Sequence, residues 1–230
     1  AKFALITHIS ALLAERQSVI KTFKYGMMPP LIWAVLICGM IAIQPNFSTA
    51  FVTYLIALGL MFVGNVNLIH LGNTLIVSLL GAGVFALSAS DRVQRLLAYI
   101  GMSGSAEHVE KYNYQTSQAI LAFGNGGLTG LGAGQSRQSN LFLPESFGDF
   151  IFSIIGEEYG YIGAGLIIFA FLLIIWRGVK IVKNAPDDFG YFLATGIVLT
   201  FAFYAMVNAG VNCGLLPNTG VPMPFISYGG

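Results

Sequence analysis

The stretch Tyr25–Ser90, YGMMPPLIWAVLICGMIAIQPNFSTAFVTYLIALGLMFVGNVNLIHLGNTLIVSLLGAGVFALSAS, runs for 66 residues without an Asp, Glu, Lys or Arg. A bilayer core takes about 20 mostly apolar residues per helical crossing, so this stretch alone is long enough for several. A second uncharged stretch runs from Phe189 to Gly230. Across all 230 residues, 56% are hydrophobic, only 21 carry a formal charge, and the mean hydropathy is +0.75. The chain reads as an all-α, polytopic bundle of transmembrane helices.

The same numbers exclude several functions. A net charge of +1 without clustered basic residues gives no footprint for nucleic acid. Cys38 and Cys213 form no disulfide framework. His8, His70 and His108 are isolated, without metal-ligand spacing, and read as structural. The glycine-rich run FGNGGLTGLGAGQS (Phe123–Ser136) lacks the Lys-Ser/Thr of a phosphate-binding loop, which argues against nucleotide binding.

Six crossings are expected, at about 2–14, 26–44, 48–64, 71–89, 150–176 and 190–210. Gln44-Pro45-Asn46 separates the second from the third, because proline disfavours helix in the residue before it, and Asn65-Val66-Asn67 separates the third from the fourth. One connection, Asp91–Asp149, is long, polar and glycine-rich and holds nine charges. A loop of this length is either functional or a linker. Basic residues set orientation: Arg16, Lys21 and Lys24 fill one connection, Arg177, Lys180 and Lys183 another, and counting crossings puts both on the cytoplasmic side. The 91–149 loop and the 212–230 tail then face outward as parts of a single transmembrane domain. The start at Ala1 and the ending SYGG suggest a piece of a longer protein.

Three acids stand out. Asp149 follows Pro144 and opens an apolar helix, where it would serve either as an N-cap or as a general base with its pKa raised by partial desolvation. Glu157 and Glu158 lie about 12 Å further along a helix counted from Asp149. Charges at that depth face a bundle interior or a water-filled cavity. Glu157, about 80° around the helix from Asp149, would line such a cavity or be a buried hydrogen-bonder, and Glu158 would be a buried structural hydrogen-bonder or pair with another helix. The tail Gly214–Pro224 carries three prolines, cannot be a regular helix, and reads as a re-entrant loop.

QPNFSTA (Gln44–Ala50), LPESFGDFIFSIIGEEYGYIGA (Leu143–Ala164) and NCGLLPNTGVPMPFISYGG (Asn212–Gly230) resemble, in order, the motifs of the SEDS family (shape, elongation, division and sporulation proteins). The spacing from Gly134-Gln135-Ser136 through Gln138 to Leu143 is more similar to the division member FtsW than to the elongation member RodA. The resemblance implies about ten transmembrane helices, of which these would be the fourth through ninth. It also implies a peptidoglycan glycosyltransferase that polymerises lipid II on the outer face of the bacterial plasma membrane beside a class B penicillin-binding protein, within the divisome or elongasome. The family's essential aspartate maps onto Asp149, its motif glutamate onto Glu145 and its fourth-helix lysine onto Lys2. Ser227, within the third motif, and Gln138, within the Gly134–Leu143 stretch, join these as substrate-binding candidates, with Arg137 on position and Glu157 on depth.

No cofactor is required by these residues. The pyrophosphate leaving group needs cationic stabilisation, from Lys2, Arg137, or a divalent ion held by Glu145 and Asp149. The chain departs from the family where Phe147-Gly148 replaces a common His-Thr and where Ser139 replaces a lysine common shortly after Gly-x-Ser. A lipid II flippase or transporter, and a non-catalytic scaffold for a penicillin-binding protein, are the competing readings.

Overall fold

The computed structural model describes residues 1–44, 46–87, 106–141, 143 and 147–228. Its helices are α1 (Lys2–Glu15), α2 (Met28–Ile43), α3 (Phe47–Val63), α4 (Leu68–Leu87), α5 (Ala106–Gly126), α6 (Arg137–Leu141), α7 (Ile151–Lys183) and α8 (Asp188–Asn212). No strand occurs among the described residues. Local chemistry sets the boundaries. Pro29 and Pro30 sit in the first turn of α2, directly after the π-helical turn Phe23–Met27. The Asn46 side chain accepts from Thr49 N at 3.2 Å and caps α3. Asn65, at φ 60°, turns the chain out of α3, and Asn67 Oδ1 accepts from Ile69 N at 3.0 Å at the start of α4.

All six expected crossings correspond to helices. By length and composition, Phe23–Ile43, Ile151–Lys183 and Asp188–Asn212 can each cross a membrane, and α3 and α4 contain shorter apolar helices. Large apolar side chains stand exposed along them, among them Met40, Val77, Leu80 and Val84 in α2 and α4 and Leu166, Phe169 and Leu172 in α7. Apolar surface on this scale is unsuited to water and marks an integral membrane protein. At the basic end of α7, the Lys180 ammonium lies 3.7 Å from the Trp176 ring centroid, an aromatic–cation pairing suited to a membrane interface.

The chain forms two compact units: one comprises 1–81 and 172–203, the other 82–171 and 204–230. The first is packed by Leu5, Ile6, Ile9 and Leu13 of α1 with Ile56, Leu60 and Met61 of α3, all nearly inaccessible. In the second, Phe123, Phe152, Ala164, Phe171, Ala205 and Met223 form one core cluster, and Ala119, Leu143, Phe150, Ile154 and Val211 another.

The second unit differs from the sequence reading in two respects. The 91–149 connection contains the 21-residue helix α5. Its polar composition hides a buried stripe: Gln115, Ala119, Ala122, Phe123 and Gly126 recur at the i, i+4, i+7, i+8, i+11 spacing of one helical face. Helix α7 begins at Ile151 rather than Asp149, because Asp149 belongs to the turn Phe147–Phe150. Helical-wheel angles counted from Asp149 therefore do not apply.

Helix α7 is broken at Gly160 (φ 68°, ψ −170°). In a continuous helix Tyr161 N and Ile162 N would donate to Glu157 O and Glu158 O. Instead they donate to Gly127 O (2.9 Å) and Leu128 O (3.2 Å), and the two glutamate carbonyls accept from Leu131 N and Gly132 N, each at 3.0 Å. The glycine-rich segment after α5 thus replaces the two lost helical bonds with four of its own. Backbone must approach backbone closely for this. A Cβ at Gly126 would fall 2.0 Å from Gly156 O, one at Gly130 2.1 Å from Glu158 O, and one at Gly160 2.4 Å from Leu128 O. Within Phe123–Ser136 it is Gly126 and Gly130 that serve this approach.

Gly126→Ala is therefore expected to destabilise the protein by about 1–3 kcal/mol, the range for forced overpacking. Gly39→Ala, where an added Cβ meets nothing within 4 Å, should be neutral or stabilising. Thermal unfolding in detergent compares the two, and equal melting temperatures would contradict the close-approach reading.

Candidate active site: the Asp149 turn

Phe150, Phe152 and Ile154, all buried, anchor the turn that carries Asp149. Its three leading carbonyls all accept hydrogen bonds from α8 and the segment that follows it. Phe147 O accepts from Tyr228 N at 2.8 Å, and Gly148 O from Ser227 Oγ at 2.7 Å. Asp149 O accepts from Asn208 Nδ2 at 2.8 Å and from Asn212 Nδ2 at 2.9 Å. The two asparagines lie one turn apart on α8 and are almost wholly buried. Asn208 Nδ2 also donates to Val221 O at 2.8 Å. Asn212 Oδ1 accepts from Ser153 N at 3.0 Å and from Ser153 Oγ, so a side chain of α8 takes up an N–H in the first turn of α7.

The Asp149 side chain is partly exposed. Facing it is Gly220 (φ 65°), where an added Cβ would stand 3.3 Å from Oδ2. Gly220 N donates to Asn218 Oδ1 at 3.3 Å, and Asn218 Nδ2 donates to Gln115 Oε1 of α5 at 2.8 Å. The proline-rich tail is non-helical from Cys213 to Tyr228, with Val221 and Met223 buried.

Glu157 is fully buried. Its Oε2 accepts from Ser136 Oγ at 2.5 Å and from Gln138 N at 3.2 Å, and its Oε1 accepts from Asn125 Nδ2 at 3.4 Å. Ser136 Oγ in turn accepts from Ser139 N at 3.0 Å and is the N-cap of α6. The Glu157 carboxylate thus sits at the start of α6 and holds the end of the glycine-rich segment, as a buried hydrogen-bonder. The Glu158 side chain, expected to be a buried hydrogen-bonder or to pair with another helix, has no hydrogen-bond or ion-pair partner among the described residues.

The second unit brings together Asp149 and Ser227, whose hydroxyl accepts from Met223 N at 2.7 Å as well as donating to Gly148 O. It also joins Glu157 to Gln138, through the latter's backbone. Gln138 Oε1 is buried without a hydrogen-bond partner among the described residues, and the Arg137 side chain is exposed at the first residue of α6. Lys2 belongs to the first unit, where it opens α1 with its ammonium 5.8 Å from the Phe3 ring centroid. Glu145 lies outside the described residues. Among the described residues no three His, Cys, Asp or Glu side chains come together. Sequence reasoning missed Asn208, Asn212 and Gly220. The asparagine pair left a signal, two carboxamides at i, i+4 in an otherwise apolar helix. Gly220 left none, because its importance depends on what lies across from it.

The profile of the FtsW/RodA/SpoVE family, described as cell cycle proteins, matches residues 1–230. Stage V sporulation protein E of Bacillus subtilis is 38% identical over the whole chain, which covers 62% of that protein. A probable peptidoglycan glycosyltransferase FtsW of Geobacter metallireducens is 36% identical, again over the whole chain and 60% of that protein. The chain therefore spans about three fifths of the length of these curated relatives. Two solved structures share its fold. One, in a peptidoglycan synthase complex that coordinates polymerization and crosslinking, has a TM-score of 0.73 at 20% identity, covering 99% of this chain and 62% of that one. The other, a mutant of the rod shape determining protein RodA of Thermus thermophilus, has a TM-score of 0.58 at 19% identity, covering 97% and 58%. The chain belongs to the FtsW/RodA/SpoVE family of integral membrane proteins.

Proposed function

We propose that this protein is a peptidoglycan glycosyltransferase that polymerises lipid II at the outer face of the bacterial plasma membrane, with Asp149 as general base. The observation that carries the reading is the Asp149 turn: a partly exposed carboxylate on backbone held by hydrogen bonds at three successive carbonyls. Relatives named probable peptidoglycan glycosyltransferase support the reaction class. Lipid II is itself amphiphilic, so a site that joins two such molecules belongs at the membrane boundary, and the distribution of basic loops supports the outer one for Asp149.

In this reaction Asp149 takes the proton of the acceptor's GlcNAc 4-hydroxyl as that oxygen attacks the donor's anomeric carbon. The new glycosidic bond forms, the bond from the anomeric carbon to the pyrophosphate oxygen breaks, and undecaprenyl pyrophosphate leaves with the electron pair. Pyrophosphate is already a good leaving group, so a second carboxylic acid of the kind glycosidases use is less necessary. Its developing charge needs a cation, for which Arg137 is the candidate within the second unit; Lys2 rests on the family resemblance alone. A class B penicillin-binding protein would crosslink the product, in keeping with the synthase complex that shares the fold. The burial of Glu157 beneath three donors makes it a fixed part of the scaffold, which favours a polymerase over a transporter that needs a polar route through the bundle.

Asp149→Ala or Asp149→Asn should insert and fold normally yet lose lipid II polymerisation by about 100-fold or more, the scale of a general base. The assay uses purified lipid II, with and without a metal chelator, and a normal rate in Asp149→Ala would refute the assignment. Gly220→Ala puts a methyl group against the carboxylate and a side chain on positive-φ backbone. Its turnover should fall by about tenfold, as expected for a displaced catalytic group. Unaltered turnover would show that Gly220 does not border the reacting centre.

A further inference from the structure

The turn at Asp149 has an unusual dependence on a distant part of the chain. Asp149 O accepts two donors, and both are side-chain carboxamides from α8, 59 and 63 residues along. One of them, Asn212, also reaches past Phe150 to take up the N–H and hydroxyl of Ser153. A single carboxamide therefore fixes the peptide that follows Asp149 and the first turn of α7 together. Asn208 adds a second link, joining Asp149 O to Val221 O, one residue from the Gly220 that faces the carboxylate. Asn212 Nδ2 also donates to Asn208 Oδ1 at 3.2 Å, so the two carboxamides hold each other.

We infer that Asn208 and Asn212 are positioning residues for Asp149: they fix the peptide plane after it and thereby the direction of its carboxylate toward Gly220. Burial alone would require only that Asp149 O have one donor. Two donors from one helix face define an orientation, and the bond from Asn208 to Val221 O sets the opposing segment by the same side chain. This inference rests on the reading of Asp149 as the base. Because the asparagines act through the backbone of Asp149 and do not touch substrate, their loss should lower turnover and leave substrate binding alone.

The test uses the full-length protein in detergent or proteoliposomes with purified lipid II. Asn208→Ala, Asn212→Ala and Asp149→Ala are compared with Thr200→Ala, a control on the same helix whose hydroxyl donates to Gly196 O of its own helix. The expected result is a fall in kcat of about tenfold to 100-fold in each asparagine variant, the scale of a misplaced catalytic group, with KM within about twofold of wild type. Combined with Asp149→Ala, neither asparagine variant should lower the residual rate further, since groups that act as a unit are not additive. Where an alanine variant loses its folded yield, Asn208→Ser, which keeps one donor, is measured instead, with a smaller fall in kcat expected. Folded asparagine variants with wild-type kcat beside an inactive Asp149→Ala would overturn the positioning role alone, as would a raised KM at unchanged kcat. A normal rate in Asp149→Ala would remove the base assignment and the inference with it.

Discussion

Backbone polar groups that leave a helix inside a membrane protein must be paired by the protein itself, because hydrocarbon offers them nothing. The second unit meets this constraint at two interruptions, and its architecture follows from how it does so. At Gly160 the helix loses two bonds, and the glycine-rich segment after α5 supplies backbone partners on both sides of the break. At the turn Phe147–Phe150 three carbonyls stand outside any helix, and α8 with the segment after it supplies the donors. One repair uses backbone and needs glycine. The other uses the side chains of asparagine and serine together with one backbone donor, Tyr228 N.

The two solutions suit different tasks. The backbone repair around Gly160 binds α5, α6 and α7 into one scaffold, and the buried Glu157 reinforces it by capping α6 through Ser136 and Gln138. It leaves little room for variation, since an added methyl group would meet main-chain atoms. The side-chain repair leaves the Asp149 carboxylate partly exposed while its backbone is held. A fixed main chain under an accessible acid is what a general base requires, because the proton acceptor must already be aligned when the transition state forms.

The crossings were legible because they depend on composition alone: stretches without charge, interrupted by Asn46, Asn65 and Asn67, which cap or turn the chain as their side-chain chemistry dictates. Asp149 is a candidate through the motif around it, and its hydrogen-bonded turn is a feature of the fold that the motif does not disclose. Helix α5 was not legible, because its buried stripe is built largely from Gln, Ala and Gly and leaves a weak hydropathy pattern. The break at Gly160 was hidden too, since EEYGYIG reads as a passable helix until the segment that fills the break is in place. The Ser227 hydroxyl both donates and accepts within the protein, which its place in the motif does not reveal. The partners of a side chain, unlike its type, are a property of the fold.

The central claim is that the chemistry is done at Asp149 on lipid already present at the outer face. Full-length protein in oriented proteoliposomes, given lipid II only in the leaflet on the side of Asp149, tests it most directly. The account predicts glycan polymer from that leaflet without any movement of lipid II across the bilayer. Transfer of lipid II between leaflets with no polymer formed would contradict it.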